Sequence, residues 1–418
     1  MVNSEIYYNQ LQKKYSRRIT LGLSRIKKAL KLLGNPENKL NRPINIIGSD
    51  GKFSCLTSLK YFIEANKQST STFVSPHLFD LRTRIWLKNR FISLNEIKKY
   101  EKQINKLNVT LSLFEVLTLI YVLAASKRRV DYNILEAGLM FFGDSTRLFN
   151  KPLVQAATNI NLQHIEWISP KTINEICRQK VGYLSNQTNI YIGKQNPKTL
   201  KIIKGILKKN NSNITYPSKW RIIYKGHYIY YKDNKHKILI QSDYIHSKGL
   251  IDNLGLAIKI ALDLGIKPSL IQKTIPKIFF EGRLQYLKKG KLQKIVHKNE
   301  KILLDGAHSN TSAKNLYNYL KTKKLPIYCI WGMQKNKFPH EFLSNFKGIF
   351  KKIITVKIPN EKNACSAENL KSIATKQKYD SEKASGYKEA LKKITSSKPK
   401  VICFLGSLYF IGSVLKEN

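Results

Sequence analysis

The stretch from Ile44 to Ser54, INIIGSDGKFS, constrains the fold of this chain more than any other segment. A β-branched run leads into a loop that contains two glycines and a lysine, and a helix-forming sequence follows. Gly48 and Gly51 allow backbone N–H groups to turn towards a phosphate, Lys52 can reach its oxygens, and Ser54 can hold Mg²⁺. The stretch therefore predicts a strand, a phosphate-binding loop and a helix, with fewer residues between the first glycine and the lysine than in the usual Walker motif.

The net charge and its distribution along the chain indicate whether the protein binds nucleic acids. The net charge of +47 is of the kind that attracts nucleic acids, because basic surfaces supply most non-specific affinity for phosphate backbones. The lysines, however, are spread over every segment, usually beside Asn and Ile, whereas a nucleic-acid groove gathers them on one face. This distribution favours a lysine-rich solvated surface, so no nucleic-acid partner is expected.

The cysteines and the apolar runs indicate the compartment. Five widely spaced cysteines with no CxxC pair favour free thiols in a reducing compartment. No apolar run approaches the ~20 residues needed to span a bilayer, and the N-terminus lacks a signal-peptide core. The basic amphipathic segment 22–36 could lie on a membrane surface, but the sequence favours a helix packed on the domain and stopped at Gly34 and Pro36. We expect a cytoplasmic protein without a membrane partner.

The pattern along the chain predicts two α/β domains, 1–285 and 286–418. In the first, strands are predicted at 71–75, 130–135 and 155–160, with helices at 94–108 and 114–126. Such alternation indicates a parallel sheet with crossover helices. Residues 188–241 are predicted to form antiparallel strands, because tyrosines and isoleucines alternate there, and a helix is predicted at 248–264. The second domain is predicted to contain strands 301–304, 326–331, 352–357 and 400–405 and helix 311–320.

Four side chains outside the loop are candidates for chemistry, and each has a structural alternative. Glu136, at the end of a strand, is placed to hold a Mg²⁺ ion bound to ATP, or it is a helix-capping or surface carboxylate. His164 is a candidate ligand, although a lone histidine is more often structural. Asp305 could accept hydrogen bonds from a ribose or form a turn, and Arg283 suits a nucleotide or an interdomain ion pair.

The order of the motifs favours the functional interpretation. The phosphate loop, SPHL from Ser75, FE at Phe114, EAGL from Glu136, GRLQ from Gly282 and DGAH from Asp305 occur in one series that spans nearly the whole chain. This series resembles the folylpolyglutamate synthase/dihydrofolate synthase family of the Mur ligase superfamily.

The resemblance implies a fold and a reaction. The fold is an α/β P-loop domain of the Mur ligase central type, with a parallel sheet, followed by a smaller Rossmann-like C-terminal domain. The implied activity is an ATP-dependent ligase that adds L-glutamate to dihydropteroate, to reduced folates carrying a polyglutamate chain, or to both. The family activates a carboxylate as an acyl phosphate, which the amino group of glutamate then attacks. ATP and Mg²⁺ are the implied cofactors, and a monomer is implied.

The resemblance also assigns roles to individual residues. The implied catalytic residues are Lys52, His164 and Lys180, the last of which matches a lysine that the family carries as a carbamate. The implied ATP-binding residues are Gly48, Gly51, Lys52, Phe53, Ser54, Asn253, Arg283 and Asp305. The implied substrate-binding residues are His77, Phe114, Glu115, Gly143, Asp144, Ser145 and His308. The implied metal ligands are Ser54, Ser75, Glu136 and His164.

The chain departs from the family pattern at several of these motifs. The family loop is close to GTNGKGS, so Ser49, Asp50 and Phe53 replace Thr, Asn and Gly. Phe53 is expected to point away from the phosphates. Gln163 replaces the acid before His164, which removes a residue that could orient this ligand. These departures leave open a superfamily member that binds nucleotide with altered or lost ligase activity. The net charge of +47 leaves open a nucleic-acid-binding protein built on an ATPase-like fold.

Overall fold

The computed structural model describes residues 4–15, 21–242, 245 and 247–418. The chain forms two compact units, Met1–Ser242 with Leu250–Ile278, and Asp243–Gly249 with Phe279–Asn418. The boundary predicted from the sequence, between residues 285 and 286, lies shortly after this division. Each unit is an α/β structure built around its own sheet.

The first unit contains an eight-stranded sheet. Its strands are β1 (Pro43–Ile47), β2 (Thr70–Phe73), β3 (Ile85–Leu87), β4 (Arg90–Phe91), β5 (Tyr132–Glu136), β6 (Val154–Ala157), β7 (Asn189–Ile192) and β8 (Asn213–Thr215). Their order is β4-β3-β2-β5-β1-β6-β7-β8, and all pairs from β2 to β8 are parallel. The central strands are buried almost throughout, as expected for parallel strands covered on both faces. The predicted parallel sheet is confirmed.

Helices cover this sheet. They are α1 (Ser4–Lys14), α2 (Ser24–Leu32), α3 (Lys52–Ala65), α4 (Leu94–Asn105), α5 (Leu113–Ser126), α6 (Ile173–Val181), α7 (Pro197–Leu207), α8 (Lys248–Asp263) and α9 (Pro268–Thr274). Ser93 and Ser112 cap α4 and α5 in capping boxes with glutamates three residues later. Helix α2 buries Ile26, Ala29 and Leu30 in the hydrophobic core. The amphipathic segment 22–36 is thus a helix packed on the domain.

The prediction for residues 188–241 is wrong in its first half. Strands β7 and β8 extend the parallel sheet, and α7 connects them. Only β9 (Trp220–Lys225), β10 (Tyr228–Asp233) and β11 (Lys237–Ile240) form the antiparallel sheet. The tyrosine alternation belongs to this later part alone, whereas the short run in β7 is nearly all buried, as in a parallel strand.

The second unit contains a six-stranded sheet. Its strands are β12 (Gln285–Tyr286), β13 (Glu300–Leu304), β14 (Ile327–Trp331), β15 (Phe350–Thr355), β16 (Ser381–Lys383) and β17 (Lys400–Leu405), and their order is β12-β13-β17-β14-β15-β16. Only β12 is antiparallel to its neighbour. The helices are α10 (Asn310–Leu320), α11 (Pro339–Ser344), α12 (Ala367–Lys376), α13 (Tyr387–Ile394) and α14 (Leu408–Glu417). This sheet confirms the predicted Rossmann-like domain, although the sequence did not predict β16.

Two general expectations can be compared with the structure. All five cysteines are free and buried, which agrees with the prediction of free thiols. Among the described residues, no helix combines the length and the apolar character that a membrane span requires.

A buried ion pair joins the first residues of β13 and β17, Glu300 and Lys400. Lys400 Nζ lies 3.3 Å from Glu300 Oε1, and both side chains are almost completely buried. Thr395 Oγ1 also donates to Glu300, and Lys400 Nζ donates to the carbonyl of Ile394 at 2.9 Å. Removing one partner of such a pair leaves an uncompensated buried charge, which is costly.

We therefore expect Glu300→Gln to lower the free energy of unfolding of the second unit by about 3–5 kcal/mol. Urea unfolding measures this value. Glu382→Gln is the matched control, because Glu382 pairs with Lys352 at an exposed site where a salt bridge contributes less than about 1 kcal/mol. Equal effects of the two substitutions would contradict a special role for the buried pair.

Candidate active site

The sheet of the first unit brings the predicted phosphate loop and three other segments together at the carboxyl ends of its strands. Strand β1 lies between β5 and β6, with Ile46 opposite Glu136 and Ile47 opposite Ala157. Since these strands are parallel, the segments that follow them leave the sheet at the same edge, together with the segment after β2. Such an edge is where ligands bind in open α/β sheets.

The glycines of the loop are required by conformation and by space. Gly48 and Gly51 have φ values of 147° and 87°, which residues with side chains rarely adopt. A Cβ atom at Gly48 would lie 2.1 Å from Thr158 Oγ1, and one at Gly51 would lie 2.2 Å from Asn253 Nδ2. The loop thus closes tightly against two neighbouring segments, with its backbone leading into the first turn of α3.

The polar side chains of the loop are held close to its backbone. Lys52 Nζ donates to the carbonyls of Gly48 and Ser49 at 3.2 and 3.1 Å. Ser54 Oγ donates to the carbonyl of Gly51 at 3.0 Å and accepts from Asn253 Nδ2 at 3.0 Å. Asn253, which the family resemblance assigns to ATP, therefore lies beside the loop.

Phe53 is accommodated within helix α3. The helix begins at Lys52, two residues earlier than the sequence predicted, so Phe53 occupies its first turn with a half-buried side chain. Its φ value is not positive, unlike that of Gly51. The chain therefore does not need a glycine at this position to form the loop.

Glu136 and Ser75 meet at the sheet edge. Glu136 is the last residue of β5, and its carboxylate is buried. The backbone N–H of Ser75 donates to Glu136 Oε2 at 3.2 Å. A buried carboxylate beside a serine is an oxygen-donor arrangement of the kind that Mg²⁺ prefers.

Lys180 is the most completely buried cation of the site. It lies on α6 with 1% of its surface exposed, and its Nζ donates to the carbonyls of Gly48 and Leu139 at 2.9 and 2.7 Å. Burial, reinforced by the charge of Lys52, lowers the pKa of Lys180 to about 7. A substantial fraction of this amine is therefore neutral at neutral pH.

His164 follows β6 after a loop and does not end a strand. Strand β6 ends at Ala157, and His164 has a left-handed conformation with φ of 59° before a short 3₁₀ turn. Its Nδ1 lies 3.8 Å from Glu166 Oε1. No three His, Cys, Asp or Glu side chains converge into a metal centre within the described ranges. A metal ion here would thus depend on hydroxyl, water or phosphate oxygens as well.

Several of the predicted substrate-binding residues pack around the turn that follows β5. The Asp144 carboxylate accepts hydrogen bonds from the N–H groups of Gly138 and Leu139 at 2.8 and 2.9 Å. Ser145 Oγ lies 2.7 Å from Thr118 Oγ1, and the ring of Phe114 leaves no room for a Cβ atom at Gly138. Asp144 therefore holds the turn together.

Glu115 and Gly143 contact the N-terminal segment. Glu115 completes the capping box of α5, and its Oε1 lies 3.1 Å from Arg25 Nη2. The Gly143 carbonyl accepts from the N–H of Gly22 at 3.2 Å, and a Cβ atom at Gly143 would lie 2.5 Å from that nitrogen. Through these contacts, segment 21–25 is held against α5 and against the turn that follows β5.

His77 forms a separate contact on the loop after β2. Arg84 Nε donates to His77 Nδ1 at 2.7 Å, and the ring of Tyr8 meets that of His77 edge to face at 4.5 Å. Burial, together with the Arg84 charge, holds the pKa of His77 well below its usual range. His77 is therefore a neutral hydrogen-bond acceptor. Arg84, which is itself buried, was not predicted from the sequence.

The remaining predicted residues lie in the second unit. The Asp305 carboxylate, directly after β13, accepts from the N–H groups of Leu284 and Ala307 at 2.9 and 2.8 Å, and burial raises its pKa. A Cβ atom at Gly306 would lie 2.8 Å from Arg283 Nη1. His308 Nδ1 lies 2.8 Å from the Gly306 carbonyl. These contacts form one compact cluster at the carboxyl end of the strand.

Two departures from the family pattern meet in space. Gln163 Nε2 donates to Asp50 Oδ2 at 3.0 Å, and Asn161 Nδ2 donates to the same oxygen at 2.8 Å. The sequence interpretation treated the change at 163 as the loss of an orienting carboxylate. In the structure, Asp50 supplies a carboxylate to this segment from the loop. No sequence signal connects these residues, because they are 113 positions apart.

Comparisons with known proteins agree with the overall fold. Residues 287–417 match the family model "Dihydrofolate synthetase, C-terminal domain". The dihydrofolate synthetase of Saccharomyces cerevisiae is 24% identical, with 95% of this chain and 98% of the yeast protein covered. Escherichia coli FolC in complex with DHPP and ADP superimposes with a TM-score of 0.86 at 18% identity, covering 99% of this chain and 97% of FolC.

A further solved structure carries a nucleotide analogue and a metal ion. It is the bifunctional folylpolyglutamate synthase/dihydrofolate synthase of Yersinia pestis with AMPPNP and Mn, which has a TM-score of 0.85 at 19% identity and covers all of this chain and 98% of its own. At such identities the solved structures establish the fold, and the curated relative matches over nearly its whole length. These matches support the resemblance of the chain to the folylpolyglutamate synthase/dihydrofolate synthase family over nearly its whole length.

Proposed function

We propose that this protein is an ATP-dependent ligase that joins L-glutamate to dihydropteroate, to folylpolyglutamate, or to both. The observation that carries the proposal is that the phosphate loop with Lys52 and the buried carboxylate of Glu136 lie at the carboxyl ends of two neighbouring strands. This arrangement suits a reaction in which several negative charges must be held together.

The reaction has two steps. A carboxylate is a poor acyl electrophile, so a carboxylate oxygen of the acceptor attacks the γ-phosphorus of ATP and ADP leaves. The glutamate nitrogen then attacks the acyl carbon, inorganic phosphate leaves, and the nitrogen loses a proton as the amide forms. Positioning and charge neutralisation supply most of the rate.

The loop residues hold the phosphates. The N–H groups of residues 51–54, at the start of α3, are proposed to bind phosphate oxygens, as helix N-termini commonly do. Lys52 would exchange its two carbonyl contacts for phosphate oxygens, which are stronger acceptors for a cation. We also propose roles in nucleotide binding for Asn253, which already contacts Ser54, and for Arg283 and Asp305.

We propose Mg²⁺ as the divalent ion, with Glu136, Ser75 and Ser54 as protein ligands and His164 as a ligand at a second position. Most of these ligand atoms are oxygens. They suit Mg²⁺, because this ion usually retains several water ligands and also binds phosphate oxygens. When bound, the ion neutralises charge on the phosphoryl group. Lys180 is proposed as a carbamate, which forms when its neutral nitrogen adds to CO₂ and loses a proton; its lowered pKa supports this role.

For the acceptor substrate we propose the cluster around Phe114 with residues 143–145, and also His77 on the separate loop after β2. Glu115 and Asp144 hold the shape of this pocket through their internal contacts. His308 is proposed as a further substrate contact. We also propose a cytoplasmic location, since all five thiols are free and buried. A monomer is proposed from the family resemblance alone.

The decisive experiment incubates the folded protein with ATP, Mg²⁺, L-glutamate and either dihydropteroate or tetrahydrofolate. Glutamate-dependent ADP release and a product heavier by one glutamyl residue are expected with at least one acceptor. The absence of a ligated product with both acceptors would overturn the proposal.

Phe53 tests whether the chain is a slowed ligase. We expect Phe53→Gly to raise kcat/KM for ATP by up to about tenfold, or ~1.4 kcal/mol, because it removes a large side chain from the first turn of α3, whose N–H groups are proposed to bind the phosphates. Phe53→Leu, which keeps an apolar side chain, is the control. Unchanged or lower activity in Phe53→Gly, with unfolding unaffected, would show that Phe53 does not limit the reaction.

A further inference from the structure

Asp50 joins the phosphate loop to the segment that carries His164. The N–H groups of Ser49 and Asp50 donate to the Asn159 carbonyl at 2.8 and 3.3 Å. Thr158 Oγ1 donates to the Asp50 carbonyl at 2.7 Å. The backbones of the loop and of segment 158–163 are therefore already in register.

The side chains add a second layer of contacts. Asp50 Oδ2 accepts from both Asn161 Nδ2, at 2.8 Å, and Gln163 Nε2, at 3.0 Å. Ser49 Oγ donates to the Asn161 carbonyl, and the N–H of Asn161 donates back to Ser49 Oγ, each at 3.1 Å. We refer to Ser49, Asp50, Asn161 and Gln163 as the Asp50 clamp.

The clamp lies between two groups that need exact placement. On one side is Gly48, whose carbonyl accepts from both Lys52 and Lys180. On the other side is His164, which directly follows Gln163 and has a left-handed backbone conformation. Non-glycine residues leave this conformation readily unless their surroundings hold them, so the contacts of Gln163 bear on the direction of the His164 ring.

We propose that Asp50 and Gln163 are positioning residues, whose carboxylate–amide pair fixes the phosphate loop and the His164 segment as one unit. The role in turnover rests on the proposed ligase function, whereas the pair itself does not. The essential feature is one acid facing one amide. Two acids would repel each other, and an exchanged pair would restore the contact.

The test is a cycle of Gln163→Glu, Asp50→Asn and the double substitution. Gln163→Glu places two carboxylates about 3 Å apart, and we expect it to lower kcat by about 30-fold, or ~2 kcal/mol, and to raise the Mg²⁺ concentration needed for half-maximal activity. Asp50→Asn alone keeps an acceptor oxygen and is expected to cost less. The double variant again pairs an acid with an amide, and we expect it to recover to within about threefold of the wild type, or ~0.65 kcal/mol.

Gln377→Glu is the control for net charge, because its amide donates to the His340 carbonyl on the surface of the second unit. It is expected to leave kcat and the Mg²⁺ dependence unchanged. A double variant as impaired as Gln163→Glu would overturn the proposal. So would a Gln163→Glu variant with wild-type kcat and Mg²⁺ dependence.

Two further measurements separate this proposal from the ligase reaction. Binding of ATPγS with Mg²⁺ should weaken in Gln163→Glu and recover in the double variant, even if no acceptor is ever glutamylated. Urea unfolding of the four proteins gives the coupling between positions 50 and 163 directly. Additive effects in both measurements would show that the two residues act independently, and would overturn the clamp whatever the activity.

Discussion

Glu136→Gln is expected to lower turnover by at least ~100-fold. Glu136 ends β5 and pairs with Ile46 of β1, which lies two residues before Gly48. The buried carboxylate of Glu136 accepts a hydrogen bond from the N–H of Ser75. Replacement by Gln keeps the size of the side chain and one acceptor oxygen but removes the negative charge that would hold Mg²⁺. The loss should fall on kcat and on the Mg²⁺ dependence.

Steady-state kinetics at several Mg²⁺ concentrations measure this effect. Glu101→Gln is a suitable control, because Glu101 is also buried but its described partners are Tyr7, Lys14 and Tyr15 near the N-terminus. We expect it to lower stability and leave turnover of the folded protein unchanged. Near-normal activity of Glu136→Gln would remove this residue from the metal site.

Lys52→Met is expected to lower kcat/KM for ATP by about 100- to 1,000-fold, the usual range when one charge-stabilising donor is removed from an active site. Within the described part of the chain, its Nζ donates to the carbonyls of Gly48 and Ser49. These contacts are weak compared with those to phosphate, so their loss should change the free energy of unfolding little. A large kinetic effect without a stability effect is the signature of a residue that acts on the ligand.

Lys60→Met, on the same helix, is the matched control for charge. Lys60 pairs with Glu64 at 2.9 Å and lies over the ring of Trp86. It should leave ATP kinetics unchanged. If the two variants showed equal kinetics, the loop would not be the phosphate site, and the interpretation of the 44–54 stretch would be wrong.

Local features of this chain could be predicted well. The strand, loop and helix from Pro43 to Ala65 follow from a buried β-branched run and from glycines that allow positive φ values. Both signals lie in residues that are close together in the sequence. The elements between 188 and 215 were predicted wrongly, because a four-residue buried strand such as β7 has no periodicity of its own.

The candidate site likewise combines features that the sequence predicts with features that only the tertiary structure decides. The sequence, through the order of its motifs, indicated the family resemblance, the strand–loop–helix stretch and the candidate residues that follow individual strands. Tertiary structure alone decided which of them meet: Lys180 reaches Gly48 across 132 positions, and Gln163 reaches Asp50 across 113. The physical reason is that such contacts depend on the strand order, here β5-β1-β6 at the centre of the sheet, and no local pattern in the chain specifies that order.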